Sequence, residues 1–239
     1  MQEFYHKWHS QYLSRDFEML VFGHSGIPLI LFPTSNGRYY ENKDNGLINS
    51  VEWLLNEGKI KIYCPDGFDW ESWYNFDIHP ADRIKTHIAY EKLIINDVIQ
   101  FACFETNSHK VAVAGCSFGG YHAANLAFKY PDKIHSLFCL GGSFDIKPFI
   151  LGHYDEDCYF NNPPDYLPGL DDKWYLNNIS KMKIVLGTGE NDICLDENRS
   201  LSWILAQKNI NHWLDVKPNG VHDWQDWNQM FPHYLGNCF

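Results

Sequence analysis

The chain has 239 residues, 45% of them hydrophobic and 21% charged, enough to build a sizeable core in one domain and too apolar for a disordered chain. Against 19 Lys and Arg stand 30 Asp and Glu, giving a formal net charge of −11. An acidic surface repels phosphate backbones and anionic headgroups, so nucleic acid and acidic membranes are excluded as expected partners and an uncharged small molecule is left open.

The chain begins MQEFYHKWHSQYLSRDF, polar and aromatic, with no apolar secretory core. No later stretch approaches the roughly 18 apolar residues of a membrane span. A cytoplasmic location without membrane contact is expected. Strands are expected at 18–22, 29–32, 61–64, 111–114, 136–140, 183–186 and 212–216, several of them short and continuously apolar. Between them, helical spacing predicts helices at 47–56, stopped by Gly58, and at 84–104. Further helices are expected at 117–130, ending before Pro131, at 197–208, and at 224–234, the last of which Pro232 should break. Strand and helix in alternation predict an α/β fold with a mainly parallel sheet covered on both faces.

Residues 143–180 break that rhythm. They are rich in Pro, Asp and Asn, yet carry Tyr154, Tyr159, Phe160, Tyr166, Trp174 and Tyr175. So many aromatics argue for a small cap-like insertion within one domain spanning 1–239. The seven cysteines are odd in number, form no C-x-x-C pair, and sit mostly in apolar runs such as KIYCP and SLFCLGG. Buried free thiols are expected, without a zinc or disulfide framework.

The strongest local signal is VAVAGCSFGGYHAANLAFKYP. An apolar strand runs into Gly115-Cys116-Ser117-Phe118-Gly119 and straight into a helix, which is G-x-S-x-G in strand–turn–helix context. Ser117 is the candidate nucleophile, and the small residues around it allow backbone to pack close to a strained turn. A serine hydroxyl needs a base and a carboxylate to orient that base, in chain order Ser, acid, His. The expected strand at 183–186 leads into GTGEND and the expected strand at 212–216 into KPNGVH, so Asp192 and His222 are the candidates. Glu190, Asp196 and Asp145 are the alternatives for the acid. A metal reading of His222, Asp223 and Asp226 lacks the H-E-x-x-H spacing.

A tetrahedral intermediate also needs hydrogen-bond donors aimed at its oxygen. The N–H of Phe118 is one candidate. The loop Phe32-Pro33-Thr34-Ser35-Asn36-Gly37 offers Thr34 and Ser35 as the other. Trp70, Trp73 and Trp224 are candidates for lining a substrate pocket.

With GCSFGG, GEND and GVHDWQDW in place, together with SWYN, His79-Pro80 and Arg83, the chain resembles the α/β-hydrolase superfamily. More narrowly it resembles the putative-esterase branch that includes esterase D and the antigen 85 mycolyltransferases. The resemblance implies an α/β sandwich of about eight strands and acyl-ester hydrolysis on a small-molecule ester, with no cofactor or metal. Acyl transfer through the same triad and a silent binding module on the same fold are the competing readings. The loop after the strand 29–32 departs from the branch, reading Pro-Thr-Ser where related esterases carry His-Gly.

Overall fold

Leu29 and Leu31 point to one side of the central sheet, Ile30 and Phe32 to the other, and all four are fully buried. Side chains alternate along a strand, so a strand apolar at every position must be covered on both faces. The computed structural model describes all residues, Met1–Phe239. Its sheet contains β1 (Glu3–Ser10), β2 (Arg15–Phe22), β3 (Ile27–Phe32), β4 (Ile60–Pro65), β5 (Val111–Cys116), β6 (Ile134–Leu140), β7 (Lys183–Gly189) and β8 (Trp213–Lys217). The spatial order is β1-β2-β4-β3-β5-β6-β7-β8. β1 and β2 are antiparallel, as are β2 and β4; every other pairing is parallel.

One face is covered by α4 (Pro80–Leu93), α5 (Ile99–Thr106), α6 (Phe118–Lys129) and α11 (Leu195–Gln207), around a 35-residue apolar cluster. The other carries α2 (Leu47–Ser50), α3 (Glu52–Asn56) and α12 (Trp224–Cys238), around a cluster of 23. A short α1 (Glu41–Asp44) precedes α2. No helix is long and apolar enough to cross a membrane. All seven cysteines are free, five of them buried.

Four local expectations change. The N-terminal segment read as merely polar and aromatic is strand β1, hydrogen-bonded along its whole length to β2. Its residues are mostly exposed, so it has no apolar run to announce it. The helix expected at 47–56 is two short helices parted at Val51. The helix expected at 84–104 runs from Pro80 to Thr106 with a π-helical turn at Ile94–Val98. Pro232 does not end α12, which continues to Cys238. A proline inside a helix costs about 3 kcal/mol, but Phe231, Tyr234 and Leu235 beside it are fully buried, and each such side chain contributes about 1.5–3 kcal/mol.

Residues 143–180 fold into four short helices, α7 (Lys147–Ile150), α8 (Glu156–Phe160), α9 (Pro163–Tyr166) and α10 (Lys173–Ile179). They pack on α4, α6 and α11. Because β3 to β8 run parallel, the loops that leave their carboxyl ends gather at one edge of the sheet, where ligands meet open α/β sheets.

Candidate active site

Ser117 follows β5 directly and adopts φ 55° and ψ −124°. A non-glycine residue at positive φ is strained, and here the strain turns the chain from strand to helix within one residue. The two flanking glycines leave room for that turn. A Cβ on Gly115 would collide with the backbone of Gly119, and one on Gly119 with the carbonyl oxygen of Pro33. Ser117 therefore stands at the N-terminus of α6, where the helix dipole favours negative charge.

The loops after β7 and β8 bring the other two candidates to it. His222 Nε2 lies 2.9 Å from Ser117 Oγ, and His222 Nδ1 lies 2.7 Å from Asp192 Oδ1. A carboxylate only accepts, so Nδ1 carries the proton and the Nε2 lone pair faces the serine hydroxyl. Asp192 is buried, and burial pushes its carboxyl up; hydrogen bonds from His222 and from the Cys194 N–H outweigh that and hold it below the ordinary carboxylate range. The indole of Trp227 meets the His222 ring edge-on, 4.9 Å between centroids, and fixes its tilt.

The rival acids are engaged elsewhere. Glu190 accepts from the N–H of Asn219. Asp145 accepts from the N–H of Lys147 and the amide of Asn162. Asp196 is exposed in the first turn of α11, whose N-cap is Cys194 and not Asp196. Asp223 caps α12 by accepting from the N–H of Asp226, and Asp226 pairs with Lys217 and accepts from the N–H of Val221. Donor atoms of Asp192, Cys194 and His222 lie within 4.8 Å of one another, as do those of His153, Asp155 and Cys158. In the first group the acid and imidazole are paired with each other, and burial pushes the Cys194 thiol up to about 12.

On the opposite side of Ser117 is the loop after β3. Thr34 does not offer its N–H, because the Glu41 carboxylate already accepts it at 2.8 Å. The N–H of Asn36 is likewise taken by Asp69, at 3.3 Å. Between them the N–H of Ser35 has no partner. Phe118, first residue of α6, has no helical acceptor for its N–H either. The Ser35 hydroxyl accepts from Tyr74 at 2.8 Å, and the Tyr74 ring packs on Phe118 and Phe149, centroids 5.5 and 4.8 Å away.

The three candidate tryptophans separate. Trp73 is fully buried beneath the site, between His87 and Tyr121, and presents no face to a ligand. Trp70 packs at a tilt against Phe68 and under the guanidinium of Arg38. Trp224 packs on Trp227, one ring removed from His222. The part-exposed aromatics beside Ser35 are instead Tyr74 and Phe149, backed by the buried Phe118, and Phe149 comes from residues 143–180. Surface cavities of about 570, 560 and 550 Å³ lie away from Ser117, the first bordering β1, the second beside Lys85 and Lys92, the third around Lys110 and Lys183.

Sequence reasoning missed Gly141, Glu41 and Asp69. Gly141 has φ 56°, and a Cβ on it would sit 2.6 Å from Asp192 Oδ2 and 3.1 Å from His222 Nδ1. The Gly-Gly pair closing β6 was its only signal. Nothing marks Glu41 or Asp69 before the loops are folded.

A sequence model described as alpha/beta hydrolase fold matches residues 74–178. A search of curated protein sequences finds no match. Among solved structures, a ferulic acid esterase superposes with a TM-score of 0.79 at 16% identity, covering 98% of this chain and 95% of that one. An S-formylglutathione hydrolase from Agrobacterium tumefaciens gives 0.76 at 12%, covering 98% and 93%. MPT51 of Mycobacterium tuberculosis gives 0.73 at 13%, covering 97% of each. The chain has the α/β-hydrolase fold; likeness at such identity says nothing of a substrate.

Proposed function

We propose that this α/β-hydrolase-fold chain is a serine carboxylic ester hydrolase acting on small or medium uncharged acyl esters. The observation that carries the reading is the unbroken path from Ser117 Oγ through His222 to Asp192, at 2.9 and 2.7 Å, on a strained turn at a helix N-terminus.

His222 Nε2 takes the hydroxyl proton as Ser117 Oγ bonds to the ester carbonyl carbon. The carbonyl electron pair moves onto oxygen, which accepts from the N–H groups of Phe118 and Ser35. Asp192 stays ionised and stabilises the imidazolium. The intermediate collapses, the alkoxide leaves with the proton from Nε2, and an acyl group remains on Ser117. Water repeats the steps and frees the acid. Tyr74 and Phe149 beside the donors, backed by Phe118, favour an apolar acyl group.

A fluorophosphonate probe is expected to label Ser117 and abolish hydrolysis of p-nitrophenyl acetate, and Ser117→Ala to be inactive. An adduct mapped to another residue overturns the reading.

A further inference from the structure

Three consecutive N–H groups lie in the loop after β3, and two carboxylates take the outer two. Glu41 holds Thr34 through both its N–H, at 2.8 Å, and its hydroxyl, at 2.9 Å. Asp69 Oδ2 holds the N–H of Asn36, at 3.3 Å. Only the middle one, on Ser35, is left to turn toward the reacting oxygen. Asn36 itself has φ 57°, so the loop curls back there, a conformation that asparagine tolerates. Gly37 lets Glu41 reach underneath, since a Cβ on it would run into the Glu41 carboxylate.

Asp69 does more than hold the loop. Its other oxygen, Oδ1, lies 2.8 Å from Nε2 of His122, and both side chains are almost fully buried. His122 stands on α6, the helix whose first N–H belongs to Phe118. Its ring packs against Phe32, where the loop leaves β3, and against Phe118. One carboxylate thus ties the loop that carries one donor to the helix that carries the other. Neither Asp69 nor His122 touches Ser117, and neither takes part in proton transfer.

We infer that Glu41 and the Asp69–His122 pair are positioning groups that single out the Ser35 N–H as the second oxyanion donor and fix its separation from the N–H of Phe118. The inference rests on the ester-hydrolase reading. A carboxylate is suited to both places because it accepts from two donors at once. Replacing Asp69 by Asn leaves one accepting oxygen for two partners. A misplacement of about 1 Å at a reacting centre costs up to ~10²-fold in rate, and loss of one donor costs about 10²–10³.

The test measures kcat and KM for p-nitrophenyl acetate, affinity for a trifluoromethyl ketone that adds to the serine, and the melting temperature. Asp69→Asn and Glu41→Ala are expected to lower kcat by about 10–10² with KM within about threefold. Affinity for the ketone, whose adduct carries the oxyanion, should fall in proportion to kcat/KM, and Glu41→Gln, which keeps one acceptor, should fall less. A purely structural role would lower the melting temperature without that proportionality. Should Asp69→Asn not fold, Gly37→Ala decides the matter, because its Cβ displaces the Glu41 carboxylate from outside the pair. Unchanged kcat in Glu41→Ala and Gly37→Ala, with Ser117→Ala inactive, overturns the positioning role alone. Activity retained by Ser117→Ala overturns both this role and the ester-hydrolase reading.

Discussion

Asp192 and His222 stand 30 residues apart in the chain, and they meet at 2.7 Å only because β6 closes on a residue without a side chain. Gly141 lies where a Cβ would crowd Asp192 Oδ2 and His222 Nδ1 together. Its positive φ is a further reason that position suits glycine. The acid–base pair therefore depends on three loops: those after β6, β7 and β8.

Asp192→Asn should lower kcat by about 10⁴, because an amide no longer enforces the Nδ1–H tautomer. Asp145→Asn should leave kcat within about threefold, since its carboxylate serves only Lys147 and Asn162. Steady-state kinetics on the two variants side by side check this. Equal losses would move the acid away from Asp192.

Ser35→Pro removes the proposed donor N–H together with the hydroxyl that Tyr74 bonds, so kcat should fall by about 10²–10³. Ser35→Ala keeps the N–H and loses the contact with Tyr74, and its kcat should stay within about tenfold of the parent. A Ser35→Pro variant as fast as Ser35→Ala would mean that the second donor lies elsewhere.

Gly119→Ala should lose both stability and activity, because its methyl would meet the backbone oxygens of Phe32 and Pro33 rather than a movable side chain. Overpacking of this kind costs about 1–3 kcal/mol. Denaturant unfolding measures the first loss, and fluorophosphonate labelling rate the second. A variant with parental values in both would show the β3 loop free to retreat.

Two histidines should make stability depend on mild acid. Burial drives His87 well below the ordinary histidine range, and burial, with Lys183 and Lys110 nearby, takes His135 down to about 4. Between the folded values and about 6.5 the unfolded chain binds protons that the folded chain does not. Stability should therefore be full above pH ~6.5 and fall as pH drops below it. In His135→Gln the slope of unfolding free energy against pH, between about 4 and 6.5, should shrink by up to one proton. An unchanged slope would place a charged imidazole in the fold.

Outside residues 143–180 the order of strand and helix was largely legible, because central strands such as β3 and β5 are apolar at every position. β1 was not, since Phe4 and Tyr5 are exposed and Glu3, His6, Lys7, His9 and Ser10 around them are polar. Ser117 was legible because close backbone approach confines positions 115 and 119, two residues to either side, to glycine. Asp192 and His222 were legible as loop residues after late strands, although only the folded loops bring them together. Thr34 and Ser35 could not be told apart, because what separates them is the Glu41 carboxylate on the Thr34 N–H, and Glu41 stands in an unremarkable short helix. Trp73 drew attention as an aromatic in a site-bearing loop, and only burial showed that it lies beneath the site.

The π-helical turn at Ile94–Val98 has a consequence for insertion and deletion. Such a turn holds one residue more than an α-helical turn. Upstream, Glu91 faces Lys129 and Asn125 on α6; downstream, Ile99 and Ala102 face the core of the sheet; within the turn, Asp97 accepts from the Trp8 indole of β1 at 3.3 Å. Deleting one residue there would let the ladder close as an ordinary helix and leave the faces on either side in nearly the same phase, because the extra residue is taken up by widening the turn. Loss of one residue within this turn should thus be tolerated better than loss of one in the α-helical turns on either side, where everything beyond would rotate by about 100°.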